Sequence, residues 1–292
     1  MNLQNSFQNF YFHYPFLEFS ELVEYYLFFG GSEEFINLPL HSFKTKELFS
    51  EIAQIEVLEK LPFFLFDEPF RTLLVTLALN DAKVDSTFIK SKTSLSFKDD
   101  ILKELEENGI IYIEYSREEP LKLYSKQKIK KEFKHYTIQN KIRFTTPFYH
   151  FLFAFIVPFL NKDFTLNQVK AQEAFSKNSN RLSSLWFEHL SKELIRYSFK
   201  NVTKCFSYWD RFSEFDLYCE VNKEKFLVGE CKYTHKPITK VELLKLEAKI
   251  EKSQLKSDYI AFFSKGGYSK ELEKLKRNNL LLFNLEDFKK LL

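Results

Sequence analysis

Within residues 213–233, SEFDLYCEVNKEKFLVGECKY, two acids and a lysine fall where they could share one surface. Strands send successive side chains to opposite faces. Read as a strand, the first half puts Phe215, Leu217, Cys219 and Val221 on one face, and Glu214 and Asp216 on the other. Asn222-Lys223-Glu224-Lys225 suits a turn. The second half puts Leu227, Gly229, Cys231 and Tyr233 on one face, and Phe226, Val228, Glu230 and Lys232 on the other. Asp216, Glu230 and Lys232 therefore converge on one side of a hairpin that also carries Phe226 and Val228. Charges beside apolar side chains must be paired, hydrated or metal-bound, because an unpaired buried charge is very costly. Two carboxylates on adjacent strands can hold a hard divalent ion such as Mg²⁺ or Mn²⁺ through oxygen. A lysine on the same face can orient a water or meet developing negative charge. The plainer reading is a surface hairpin with a Glu–Lys pair.

The elements around this hairpin set its context. Upstream, RLSSLWFEHLSKELIRYSF (181–199) is periodic as a helix. Leu182, Trp186, Leu190 and Leu194 form one stripe, and Leu185, Ile195 and Phe199 a second that includes Glu188. A helix apolar on two sides is buried between layers, which makes Glu188 a ligand or base candidate, although half-exposed glutamates are commoner. TKCFSYWD reads as a strand before the hairpin. After it come a helix in KVELLKLEAKIEKSQLK, a strand in DYIAFFS, a helix in SKELEKLKRN, a strand in LLLFNL and a closing helix in EDFKKLL. Strands alternating with helices imply a partly parallel sheet covered by helices.

The first half of the chain is helical in pattern. FLEFSELVEYYLFFGG stops at Gly30-Gly31, and SFKTKELFSEIAQIEVLEKL closes at Pro62. Residues 69–124 read as a winged helix: helices in PFRTLLVTLAL, DSTFIKSKT and DDILKELEENG, then wing strands in IIYIEY and PLKLYS. The third helix carries Asp99, Asp100, Glu104, Glu106 and Glu107, so a structural or protein-contact role is preferred to entry into a DNA groove. The next stretch is the most basic. Lys126, Lys128, Lys130, Lys131 and Lys134 are interleaved with Tyr124, Phe133 and Tyr136, a pattern suited to a nucleic-acid backbone and its bases, or to a solvated linker.

Composition bounds the rest. With 292 residues, 45% hydrophobic, the chain can build two domains. The net charge of +3 permits nucleic-acid binding without arguing for it. No GxxxxGK[ST] occurs, so no ATP is expected. Cys205, Cys219 and Cys231 show no metal-ligand spacing, and with no secretory leader they are expected as reduced thiols in the cytoplasm. The apolar run Thr146–Leu160 is shorter than the roughly 20 residues that span a bilayer, so a buried or partner-packed helix is expected and no membrane.

The acid, hairpin and Glu-x-Lys order, Asp216…Glu230-Cys231-Lys232, resembles the PD-(D/E)XK nuclease superfamily. IQNKIRFTTPFYHFLFAFIVPF, FEHLSKELI and SYWDRFSEFDLYCEVNKEKFLVGECKY are similar to elements of the family called domain of unknown function 234. LVEYYLFFGGSEEFINL resembles the helical lid of that family's ATPase part, whose nucleotide-binding core this sequence lacks. The resemblance implies an α/β multi-domain chain: a lid-like helical segment (1–66), a winged helix with a basic extension (67–137), a Phe-rich helical connector (138–180) and a restriction-endonuclease-like αβββαβ core with a mixed sheet (181–292). It implies a Mg²⁺- or Mn²⁺-dependent DNA endonuclease, with Asp216, Glu230, Glu188 and the Cys231 backbone carbonyl as ligands and Lys232 as catalytic lysine. Glu214 matches an assisting acid. The alternatives are a catalytically silent nucleic-acid-binding or regulatory module of a defence or toxin–antitoxin pair, and a scaffold seeking a homodimer or protein partner.

Overall fold

The computed structural model of the protein describes residues 3–32, 49, 61–80, 82–122, 124, 126–134 and 136–292. It divides into two compact units, one of residues 1–114, 141–186 and 292, the other of residues 115–140 and 187–291. The helix expected in 42–61 lies outside the described residues, apart from Phe49 and Leu61.

In the first unit, helices α1 (Leu3–His13) and α2 (Phe19–Phe29) are followed by α3 (Phe70–Leu79), α4 (Val84–Ser91) and α5 (Lys98–Glu107). Helix α2 buries Leu22, Val23, Leu27 and Phe29 and stops where expected. Gly31 has φ +84°, a left-handed conformation that glycine adopts without strain, and a Cβ there would come within 2.7 Å of the Thr146 side chain. Asp99 and Asp100 sit in the first turn of α5, where the helix dipole favours acids. Ile101, Leu102 and Leu105 are its buried face.

The wing expectation needs correction. Strand β1 (Ile111–Glu114) pairs antiparallel with β2 (Lys141–Phe144), from Ile111↔Phe144 to Glu114↔Lys141. No described residue of PLKLYS is in a strand. The physical reason is burial. Every residue of β2 is buried, and Arg143 is tolerated there because its Nε donates to Glu114 Oε2 at 3.0 Å. In PLKLYS, Lys122 and Tyr124 are exposed.

The apolar run that follows is interior, as expected. Thr146 caps α6 (Pro147–Phe151) by accepting from the Tyr149 N–H, and Pro147 occupies the first turn, where its missing N–H costs nothing. A π-helical turn (Leu152–Ile156) and a 3₁₀ turn (Val157–Phe159) continue it. His150 is buried within this run, stacked on Phe144. Its Nε2 donates to the Ala78 carbonyl at 3.1 Å, and its Nδ1 accepts from the Trp186 indole at 3.3 Å. Burial pushes its pKa down to about 4, so the ring is neutral at pH 7.

The second unit is built on five strands: β3 (Val202–Trp209), β4 (Glu214–Val221), β5 (Lys225–Lys232), β6 (Tyr259–Ser264) and β7 (Leu280–Asn284), in that spatial order. The first three pair antiparallel, and β5–β6–β7 are parallel. This is the mixed sheet expected from the strand–helix alternation. Helix α7 (Gln168–Ser198), longer than the stretch read as helical, brings Phe187 against Tyr233 and Phe288. Helix α8 (Lys240–Lys252) lays Leu243 and Leu246 on Val228, Ile260 and Phe262. Thr239 and Glu242 start α8 with a capping box. The last two expected helices are shorter or tighter: α9 is Lys270–Glu273, and Leu285–Leu291 is 3₁₀.

Two findings change the reading of the hairpin. Phe206 pairs with Tyr218 but Tyr208 with Phe215, so two steps of β3 span three of β4. This bulge moves Phe215 off the face of Leu217 and into the cluster under α8, with Val228 and Leu246. Cys205 and Cys219 are joined in a disulfide, contrary to the expectation of reduced thiols. They are direct register partners on adjacent strands, with Cα atoms 4.0 Å apart.

Residues 115–140 pack on this unit through a buried acid. Glu118 accepts from the Tyr136 hydroxyl at 2.6 Å and from the Arg211 guanidinium. Arg117 lies 3.5 Å from the centroid of the Phe206 ring, and the Trp209 indole donates to the Gln139 carbonyl at 3.1 Å.

Candidate active site

Asp216 and Glu230 come from neighbouring strands. The ladder between β4 and β5 runs from Val221↔Lys225 to Leu217↔Gly229. One step beyond its end, the Asp216 carboxylate takes the next donor itself: the Cys231 N–H donates to Asp216 Oδ2 at 2.7 Å. The bulge thus sits where a side chain replaces a ladder bond and is aimed at β5.

Glu230 lies on the face covered by α8, in line with Val228 and Lys232 along β5. Its two oxygens are engaged separately. Lys232 Nζ donates to Oε1 at 2.7 Å, and Lys249 Nζ, from α8, donates to Oε2 at 3.3 Å. Asp216, Glu230 and Lys232 are therefore brought together as the alternation expected.

The electrostatics follow from this crowding. Burial, then the Glu230 charge, raises the Asp216 pKa to about 7, against the pull of the Cys231 N–H, Lys232 and Lys249. For Lys232, burial works against the ammonium, but the charge and hydrogen bond of Glu230, with Asp216 and Cys231 behind them, outweigh it and the pKa stands above the ordinary lysine value. Cys231 points the other way. Its thiol hydrogen-bonds with Ser191 of α7, and its pKa is pushed well up by burial and by the charges of Asp216, Glu188 and Glu230. Glu188, half-buried on α7, thus registers at the same thiol as the two strand acids. Glu214 opens β4 opposite Trp209 and is exposed.

The donor chemistry fits a hard cation in part. Two neighbouring carboxylates supply oxygen ligands, and their mutual repulsion is relieved by positive charge. Among the described residues, no group of three or more His, Cys, Asp and Glu side chains is placed to hold a metal ion. The basic residues Lys126, Lys128, Lys130, Lys131 and Lys134 are all exposed, around a 3₁₀ turn at Lys131–Phe133. They belong to the same unit as the acids.

Sequence reading missed Lys249. A signal for it existed: Leu243, Leu246 and Ile250 make the inner stripe of α8, and Lys249 lies three residues from Leu246 on that side. A lysine in phase with an apolar stripe needs an acid below it.

Residues 152–249, about a third of the chain, match the model of the family called domain of unknown function 234, described as archaea bacterial proteins of unknown function. The match covers α8 as far as Lys249, all of β3–β5 and the whole of α7. It supports the resemblance to that family over this segment. No curated protein and no solved structure matches the chain. Among the described residues, no helix is long and apolar enough to cross a membrane.

Proposed function

We propose that the chain is a Mg²⁺-dependent endonuclease of the PD-(D/E)XK kind, acting on DNA. Asp216 and Glu230 would hold the ion, with Glu188 and the Cys231 carbonyl completing the set that the resemblance implies. A bound Mg²⁺ or Mn²⁺ would polarise the scissile phosphodiester and make a neighbouring water more acidic. Lys232, on the same face as Glu230, would orient that water or meet the charge gathering on the phosphate. Lys126, Lys128, Lys130, Lys131 and Lys134 would track the nucleic-acid backbone. The restriction-endonuclease-like core, the winged helix and a cytoplasmic location are parts of the same proposal.

The observation that carries it is a pair of carboxylates from adjacent strands, with Asp216 raised to about 7 first by burial and then by the Glu230 charge, beside the Lys232–Glu230 bond of 2.7 Å. A structural ion pair does not need the second acid. The test is incubation of supercoiled plasmid with the protein and Mg²⁺ or Mn²⁺, beside Asp216→Ala. Nicking by the native chain alone is expected; equal nicking by both, or none by either, removes the reading.

The second reading is a silent nucleic-acid-binding or partner-binding module. It is favoured by the state of Glu230, whose two oxygens are each satisfied by a lysine, as in a self-contained network. Salt-sensitive nucleic-acid binding that survives Lys232→Ala, with no cutting, would select it.

A further inference from the structure

We propose that Lys249 is a second cationic residue of this site, which releases Glu230 when a divalent ion enters and turns to a substrate phosphate. This rests on the nuclease reading above.

Glu230 reaches a different ammonium with each oxygen, Lys232 at 2.7 Å and Lys249 at 3.3 Å. A cation that takes Glu230 as a ligand must compete with both. The longer contact yields first. Lys232 is fixed two residues away on the same strand, whereas Lys249 arrives from α8 on a four-carbon stem. Glu230 is 15% exposed and the Lys249 side chain 40%, so the acid is inside and the ammonium is at the mouth. An ion pair with one partner this exposed contributes little to stability, so exchanging it costs little. The freed ammonium is a compact charge with three donors, suited to a phosphate oxygen. It stands close enough to Asp216 to pull on that carboxylate too, so it belongs to the whole acid pair and not to Glu230 alone.

The test uses the full chain as native protein, Lys249→Ala, Lys249→Arg and Asp216→Ala. Mn²⁺ is titrated calorimetrically, and binding of a short DNA duplex is measured against salt concentration. Lys249→Ala should bind Mn²⁺ about three- to tenfold more tightly, because a competing cation is gone. Its log–log salt slope for duplex should fall by about 0.9, the value for one lost phosphate contact, and Lys249→Arg should restore it. Native Mn²⁺ affinity together with a native salt slope in Lys249→Ala overturns the proposal. Failure of the nuclease reading looks different: native protein and Asp216→Ala then bind Mn²⁺ alike, while the salt slope still judges the phosphate contact. Native protein that binds no duplex at low salt overturns both.

Discussion

His150 in the first unit and Asp216 in the second are ionisable groups pushed away from their charged forms by burial, and the surroundings answer in opposite ways. His150 is neutral, with Nε2 donating to Ala78 and Nδ1 accepting from Trp186. Such a site is closed. It holds α6, α3 and the early part of α7 in one arrangement and has no capacity left for a ligand. Asp216 has one oxygen on the Cys231 N–H and faces a second carboxylate. Burial there leaves a repulsion that lysines only partly offset. Polar satisfaction marks structure, and crowding of like charge marks a place that a cation would relieve.

The sharpest way to break this contrast is Asp216→Asn. If crowding serves function at a cost in stability, the substitution should abolish nicking, by on the order of 10³-fold, while raising stability at pH 8 by about 1–2 kcal/mol. Urea unfolding and plasmid cleavage on the same preparation check both halves. A variant that is both inactive and less stable would place Asp216 with His150, among structural groups.

His150→Ala should cost about 2–4 kcal/mol, from the cavity and from two orphaned partners, the Ala78 carbonyl and the Trp186 N–H. Denaturant unfolding followed by Trp fluorescence reads this. Site-directed metal affinity should not change.

The pH dependence of the two units should run in opposite directions. The His150 pKa is depressed to about 4 in the fold from 6.5, so its contribution is present above pH 6.5 and lost as pH falls towards 4. The Asp216 pKa is raised to about 7 from 3.8, so its contribution is complete below pH 3.8 and is lost as pH rises through 7. Amide exchange resolved by segment, between pH 4.5 and 7, should show protection near 147–157 rising with pH and protection near 228–232 falling. Parallel trends would dissolve the distinction.

The smallest expected effect lies at the exposed lysines. Lys128→Ala or Lys131→Ala should leave stability within about 0.5 kcal/mol and lower the salt slope of DNA binding by about 0.9 each.

Much of the sheet unit was legible. Alternation in β4 and β5 placed Asp216, Glu230 and Lys232 together because a buried sheet face fixes strand register strongly. The bulge at Phe215 was not, since an apolar residue looks the same on either face of a sheet buried on both. The β1–β2 pairing was missed because about 30 residues separate the partners and the nearer segment, PLKLYS, has a strand-like alternation without anything to bury it. Cys205–Cys219 depended on a register that spacing alone does not supply. The phase of Lys249 with the apolar stripe of α8 could be read, but which acid the rotation of that helix sets it over is shown only by packing against Val228 and Ile260.

That rotation has a fixed origin. The capping box at Thr239 and Glu242 determines the residue at which α8 begins, and every later side chain inherits its azimuth from there at about 100° per residue. Lys249 comes ten residues after Thr239. Inserting one alanine between them would swing it roughly a quarter-turn around the cylinder, leaving the lysine in the chain but pointing it past the acid. The cap therefore works as a timing mark: a threonine ten residues before the lysine decides which residue meets the acid pair.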